Sequence, residues 1–484
     1  MIDMNNQNSE MFYIANPDVS TRLIGDQEAV LYQPDTGREK FLNSTGRFIW
    51  ERLDGPLSVK NLTVRVCEGF ASAPLDQVSK DVASFIDDLS QQGFISEQKE
   101  GEPCSVHKTD YPDMNDAPKS LDISLTGKCN LHCEYCFYAE EMKSRPDLPL
   151  EQWQAFFQEL GHLAVRDVCL SGGEVFVRPD LWELIDSVIA NRMRYSILTN
   201  GTLLAEDTIR YFEKGKRRRR LTSIQVSIDG SCAEVHDKSR GKGSFDKAVR
   251  GLRLLKEAGF PVTSRVTVNR YNVDDLENIT RLLIDDIGLA GFGTNDAMPM
   301  GAGCDNQASI TLLPEQQVRA MNSLARLAER YDGRVQASAG PLAKWRSYRE
   351  MEHAKATGEK TTTWQMGYLT ACGCMYNKLS VHPDGLITPC NILAKLEMGR
   401  INVDSLSQIW KTHPTLQALK DRRKIPMDQV PGCEDCEWAP FCNGSCPGLA
   451  YEMTGDFNRA NPHDCYRKFL EETGIKSVLD TPVK

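Results

Sequence analysis

Three cysteines, Cys129, Cys133 and Cys136, stand in C-x3-C-x2-C spacing. Eight more gather toward the other end of the chain: Cys372, Cys374 and Cys390, then Cys433, Cys436, Cys442 and Cys446 in C-x2-C-x5-C-x3-C spacing, and finally Cys465. Thiolates at such spacings hold metal. Three thiolates on one short loop can saturate three irons of a four-iron, four-sulfur cluster and leave the fourth open, and an open position separates a catalytic metal from a structural one. The alternatives are a structural metal loop for the triplet and a zinc ribbon for the second group. Cys67, Cys104, Cys169, Cys232 and Cys304 have no partner spacing and read as ordinary thiols.

The elements that must position these groups follow from periodicity. Short β-rich runs at 121–126, 167–171, 195–199, 223–229, 261–268 and 291–295 alternate with amphipathic stretches such as 150–163 and 245–258. Repeated strand and helix units predict an α/β fold over 119–310, a parallel sheet or partial (β/α)6 barrel with helices outside. The triplet then lies in the loop after the first strand, at the carboxyl end where such sheets place chemistry. The next three strands end in Ser171-Gly172-Gly173-Glu174, Thr199-Asn200-Gly201 and Ser227-Ile228-Asp229-Gly230. Two glycines admit close backbone approach, a carboxylate can accept from an amino group, and short polar groups are in position to take a ribose. Arg240 could pair with a carboxylate. Asp296, just past the sixth strand, is either a base projecting into the cavity or a structural aspartate. Each signal alone is usually a turn; their succession on consecutive strand ends is specific.

This succession resembles the radical S-adenosylmethionine (SAM) enzymes. The resemblance implies that Cys129, Cys133 and Cys136 ligate a [4Fe-4S] cluster whose open iron takes SAM, which is cleaved to a 5'-deoxyadenosyl radical that abstracts hydrogen from substrate. It places Tyr135 beside the adenine, Gly172, Gly173 and Glu174 at the methionine amine, Ser227 and Asp229 at the ribose, and Asn200 and Arg240 among the cofactor contacts. The second cysteine group, with Gly385, resembles the SPASM domain, here residues 366–484, which implies two auxiliary [4Fe-4S] clusters and three in all. In that scheme Cys390 and Cys446 join Cys372 or Cys374, or both, at one cluster, while Cys433, Cys436, Cys442 and Cys465 form the other. A helical bridge at 311–365 connects the two parts.

Residues 1–100 read as a small α+β, winged-helix-like unit: a hairpin of 29–32 and 40–42 around Gln33-Pro34-Asp35-Thr36-Gly37, then three helical stretches. The last, 74–89, carries Lys80 against Asp76, Asp81, Asp87 and Asp88, which argues against entry into a DNA groove. The segment from Phe41 to Trp50, ahead of Leu53-Asp54-Gly55, resembles the peptide chaperone of pyrroloquinoline quinone biosynthesis and its leader-peptide-binding relatives. These add the leader as a strand to an exposed sheet edge. A linker rich in proline, at 101–118, follows.

At 484 residues the chain has room for roughly three domains of the usual ~150 residues. Its net charge of -10 disfavours a nucleic-acid partner, despite the run Lys214-Gly215-Lys216-Arg217-Arg218-Arg219-Arg220, which reads as a solvated helix end. No signal segment and no run of ~18 apolar residues is visible, so a cytoplasmic protein without a membrane partner is expected. Clustered cysteines in that reducing compartment are metal ligands rather than disulfides. Together these readings imply a peptide maturase that binds a precursor through its leader, draws electrons from a donor such as flavodoxin or ferredoxin, and forms a thioether or carbon-to-carbon cross-link. One alternative is an anaerobic sulfatase-maturing enzyme making formylglycine, but Asn391 stands where those enzymes carry an aspartate base. The other is an iron-sulfur redox sensor.

Overall fold

A computed structural model describes residues 11–70, 74–98, 111–138 and 145–478. They form two compact units: one runs to Ala117 and includes Phe156–Arg166 and Ser187–Arg194, and the other holds Pro118–Ala155, Asp167–Asp186 and everything from Tyr195 onward. Cys104 and the expected linker as far as residue 110 lie outside the described residues.

In the first unit, strands β1 (Phe12–Ala15), β5 (Leu57–Ser58) and β6 (Ile95–Gln98) make one small sheet, while β2 (Ser20–Ile24), β3 (Glu28–Gln33) and β4 (Arg38–Leu42) make an antiparallel meander. The β3–β4 hairpin closes where Gly37 adopts φ +73°, a conformation that costs glycine nothing. Asn43 and Ser58 cap the helices Ser44–Trp50 and Val59–Gly69 by accepting from Gly46 N and Asn61 N. The third helix, Leu75–Gln91, buries Val78, Val82, Ile86 and Leu89 against Leu31, Leu53 and Leu62 and leaves its acidic face outward. The outer edge of β2 is covered by backbone bonds between Leu23 and the segment Pro112–Met114. Among the described residues no strand covers the outer edge of β4.

In the second unit, β7 (Ser120–Thr126), β8 (Asp167–Gly172), β9 (Arg194–Thr199), β10 (Leu221–Ser227), β11 (Val262–Val268) and β12 (Phe292–Asp296) lie side by side in chain order. This is the predicted partial barrel, and the strand ends fall within two residues of those read from the sequence. The sheet is wider than expected at both edges. Within the stretch read as a helical bridge, between helices Pro314–Arg330 and Gly340–Thr357, the three-residue strand β13 (Val335–Ala337) pairs parallel to β12. On the other edge, β14 (Lys378–Val381) of the cysteine-rich region pairs parallel to β7, and β15 (Leu386–Thr388) and β16 (Gly399–Arg400) continue the sheet. The sheet therefore runs from β13 at one edge to β16 at the other. The outer helices sit close on the strand ends: a Cβ on Gly251 would meet Gly201 O at 2.5 Å.

The arginine run departs from its expectation. Arg217 and Arg220 are buried, and Arg217 forms a bidentate pair with Asp186 at 2.7 and 2.6 Å beneath the face of Trp182. A planar fork that matches a carboxylate and stacks on an aromatic ring can be buried where a solvated charge cannot. Among the described residues no helix is long and apolar enough to cross a membrane.

Candidate functional site

Strand side chains alternate between faces, and the inward set of this barrel is polar except for Leu198 of β9: Ser124 of β7, Ser171 of β8, Gln225 and Ser227 of β10, Arg265 and Thr267 of β11 and Asn295 of β12. They surround a cavity of about 1600 Å³. The same cavity is lined by Cys129, Cys133 and Cys136 and, from the cysteine-rich region, by Cys372, Cys374, Cys390, Cys442 and Cys446. Both expected groups of thiols therefore open onto one space.

The triplet loop is held from four directions. Lys128 O and Thr126 O accept from Glu174 N and Gly173 N at the end of β8, at 2.9 and 2.8 Å. A Cβ on Gly173 would lie 2.2 Å from Lys128 O, and one on Gly172 2.4 Å from Thr126 O. The two glycines were expected to admit a ligand; in the structure they also admit the cysteine loop itself. On the far side Glu134 N donates to Ser239 O (2.9 Å), Ala302 N to Cys136 O (3.0 Å), and Asn306 Nδ2 to Glu134 O (3.0 Å). Asn200 Nδ2 reaches Cys129 Sγ at 3.9 Å and Asn130 Oδ1 at 2.9 Å, a donor aimed at a would-be ligand sulfur. Burial raises the Cys129 thiol and pushes Cys133 up to about 11, which a bound cation would reverse.

Two of the expected carboxylates are already hydrogen-bonded within the protein. Glu174, expected at an amino group, is 1% exposed and outside the cavity wall; its oxygens accept from Thr199 Oγ1 (2.7 Å), Asn200 N (2.7 Å) and Phe176 N (3.2 Å). Burial raises its pKa against these three donors. It ties the end of β8 to the end of β9. Asp229, expected at a ribose, is fully buried and accepts from Tyr135 OH, from Arg240 Nε at 2.5 Å and from Thr267 N at 2.7 Å. Burial opposes the Arg240 charge, but Asp229, Tyr135 and Cys133 outweigh it and raise the pKa. Burial and Arg240 together lower His236 to about 4, so it stays neutral, and its Nδ1 accepts from Asp229 N at 3.0 Å. Ser227, Tyr135 and Arg240 line the cavity, as do Gly172 and Gly173.

Asp296 reaches the cavity but is a poor base. Its Oδ2 lies 2.8 Å from His463 Nε2 and 3.5 Å from Lys344 Nζ. Burial would raise its pKa, yet Lys344 and then His463 hold the carboxyl well below the usual range. Lys344 in turn pairs with Asp464 Oδ1 at 3.1 Å and donates to His463 O at 3.0 Å. The group is a charged strut joining β12, the helix Gly340–Thr357 and the loop before Cys465.

The C-terminal thiols fall into two neighbourhoods. Cys390, pushed up to about 12 by burial, feels Cys446 and Cys372, and Cys374 shares a hydrogen bond with Cys372 that lowers the Cys372 pKa. Cys442, also raised to about 12 by burial, feels Cys465, Cys433 and Cys436. Both Cys372 and Cys374 therefore stand with Cys390 and Cys446. Among the described residues no three His, Cys, Asp or Glu side chains converge tightly enough for a single metal ion. Arg422, fully buried, donates to the carbonyls of Phe457 (2.6 Å), Arg459 (2.7 Å), Ser445 (3.3 Å) and Thr370, which pins the loops that carry these thiols. Burial lowers its pKa to about 10. Asn391 lines the cavity, and its Oδ1 is buried without a partner.

Sequence reasoning missed Arg265, Lys344, His463 and Arg422. Only Arg265 left a readable trace, as the one charge at an inward position of the strand VTSRVTV. The others are joined by pairings between remote segments.

Comparisons with known proteins give matches along the chain. The Radical SAM superfamily profile matches residues 123–283, coenzyme PQQ synthesis protein D (PqqD) residues 28–95, and the SPASM iron-sulfur cluster-binding domain residues 372–437. The mycofactocin maturase MftC of Mycobacterium tuberculosis is 34% identical over 336 residues, 68% of this chain and 78% of that protein. The AdoMet-dependent heme synthase of Methanosarcina barkeri is 28% identical over 361 residues, 73% of this chain and 98% of that protein. In fold, the chain is similar to Streptococcus suis SuiB bound to precursor peptide SuiA, with TM-score 0.61 and 12% identity over 94% of this chain and 99% of that one.

Proposed function

The chain belongs to the radical SAM superfamily, with a PqqD-like domain before the barrel and a SPASM domain after it, and from this we propose that it is a maturase that modifies a precursor peptide. We assign residues 1–100 to leader recognition, 119–310 to the radical SAM barrel and 366–484 to two auxiliary clusters. The observation that carries the reading is one cavity faced by both thiol groups in a chain that also bears a PqqD-like meander whose β4 edge no strand covers among the described residues. An edge strand offers its free N–H and C=O groups to an incoming extended segment.

Cys129, Cys133 and Cys136 would hold the SAM-binding cluster; Cys372, Cys374, Cys390 and Cys446 one auxiliary cluster; and Cys433, Cys436, Cys442 and Cys465 the other. When bound, cluster and SAM supply one-electron reduction and hydrogen-atom abstraction. The chain's own residues orient and enclose. Asn200 donates toward the Cys129 sulfur, Arg240 offers its outer N–H groups to a carboxylate, Ser227 presents its hydroxyl to the adenosyl face, and Tyr135, its hydroxyl held by Asp229, lies beside the adenine. Glu174 and Asp229 fix the strand ends from behind. The auxiliary clusters, held by their eight cysteines, would supply an electron acceptor inside the protein, which favours a net oxidative product such as a thioether or carbon-to-carbon cross-link. Flavodoxin or ferredoxin would be the electron donor.

Formylglycine formation is disfavoured because Asn391 cannot take a proton, and a redox sensor is disfavoured by a cavity built around the triplet. The heme-synthase match leaves about a quarter of this chain unmatched. The test starts from the reading frames beside this gene: a short peptide encoded there is turned over anaerobically with and without its leader, and loss of two hydrogens only when the leader is present supports the reading, whereas no such peptide, leader-independent modification or no modification contradicts it.

A further inference from the structure

Three cations that line the cavity are matched by acids: Arg145 by Asp384, Arg240 by Asp229, and Lys344 by Asp296 and Asp464. Arg265 is not. Half-buried on β11, it donates from Nε to Gln225 Oε1 at 3.2 Å and from Nη1 to Ser338 Oγ at 3.5 Å, both neutral acceptors. Among the described residues no carboxylate pairs with it. Burial alone lowers its pKa, with no acid to offset that cost.

The surroundings hold the guanidinium in place. Arg265 is in register with Gly293 of β12, where a Cβ would fall 2.9 Å from Nη1 and 3.2 Å from Cζ. Any other residue there would displace the fork. Two residues along the same face, Asn295 carries a buried Oδ1 without a partner, an acceptor waiting for a donor such as a peptide N–H. The side chain spans from β10 across β12 to the residue after β13. In sheet order this is the side away from β7 and β8, whose ends carry the cysteine loop and the two glycines.

We propose that Arg265 receives a carboxylate of the precursor peptide, from an acidic side chain or the C-terminus of the segment being modified, while Asn295 takes a neighbouring peptide N–H. Planar, bidentate recognition is what an arginine fork with two anchored nitrogens provides. The assignment rests on the peptide-maturase reading and deepens it, since this contact would set which residue faces the reactive end of the cavity.

The test is a double-mutant cycle with cluster-reconstituted full-length enzyme. Arg265→Gln is crossed with a form of the neighbouring-gene precursor in which the acidic side chains of the core are amides and the C-terminus is a carboxamide, its leader unaltered. Each single change is expected to lower kcat/KM about 10- to 100-fold, mainly through KM, and the two together no further. Arg265→Lys should recover part of the loss. Peptides amidated one position at a time distinguish a side chain from the C-terminus. Additive losses, no loss, or an equal weakening of SAM affinity in Arg265→Gln would overturn the assignment, the last by giving the carboxylate to SAM. Should Arg265→Gln fail to fold, undiminished turnover of the carboxylate-free peptide by wild type overturns it alone. Failure of wild type to modify either peptide contradicts the maturase reading itself.

Discussion

Glu174 ties the end of β8 to the end of β9 from a buried position. Its oxygens accept from Thr199, Asn200 and Phe176, so a neutral amide in its place would turn a donor toward one of them. Glu174→Gln is therefore expected to weaken SAM binding about tenfold and cost about 1–3 kcal/mol of stability. Calorimetric titration and thermal unfolding would measure both; unchanged SAM affinity would show that the β8–β9 tie is dispensable. Asp296 makes a pH argument. Its folded pKa is depressed, so its contribution to stability is full above the unfolded pKa of about 4 and is lost as pH falls through the folded value. Asp296→Asn should flatten that acid limb while leaving the shape of the pH–rate profile near neutrality unchanged; a rate limb lost with the aspartate would restore it as a base.

At the scale of elements, the cysteine loop depends on the close approach of β8. Gly173→Ala puts a methyl 2.2 Å from Lys128 O, against backbone that cannot yield cheaply. SAM cleavage in that variant is expected to fall at least tenfold, with the auxiliary clusters, read by electron paramagnetic resonance, still present; wild-type cleavage would contradict the packing argument. On β4, Phe41 is 67% exposed beside the uncovered edge. Phe41→Ala should leave stability within about 0.5 kcal/mol while weakening leader binding, checked by fluorescence anisotropy of labelled leader. The six central strands were legible because β-branched runs are punctuated by turn residues, and the strand-end motifs located the site. What was not legible is what each side chain is already bound to. Glu174 and Asp229 look like ligand groups in a linear motif, yet each already accepts from donors brought by neighbouring strands, Asn200 N and Thr267 N among them. The edge strand β13 is three residues long and β14 pairs with β7 across more than 250 positions, so neither leaves a local pattern.

At the scale of the whole molecule, the separation of thiols into a triplet and two foursomes predicts about twelve irons per chain after anaerobic reconstitution. Cys433→Ala with Cys442→Ala should lower this to about eight while retaining SAM cleavage. The pair Cys372 and Cys374, which the sequence leaves open, is separable in the same way: Cys372→Ser and Cys374→Ser, each assayed for iron, report which sulfur the first auxiliary cluster requires. The central claim, that a leader-bound precursor is the substrate of radical chemistry, is tested most directly by mass spectrometry of the neighbouring-gene peptide co-expressed anaerobically with the full chain. The account predicts loss of two hydrogens from the peptide core, dependent on Cys129 and on the leader. An unchanged peptide alongside cleaved SAM would contradict it.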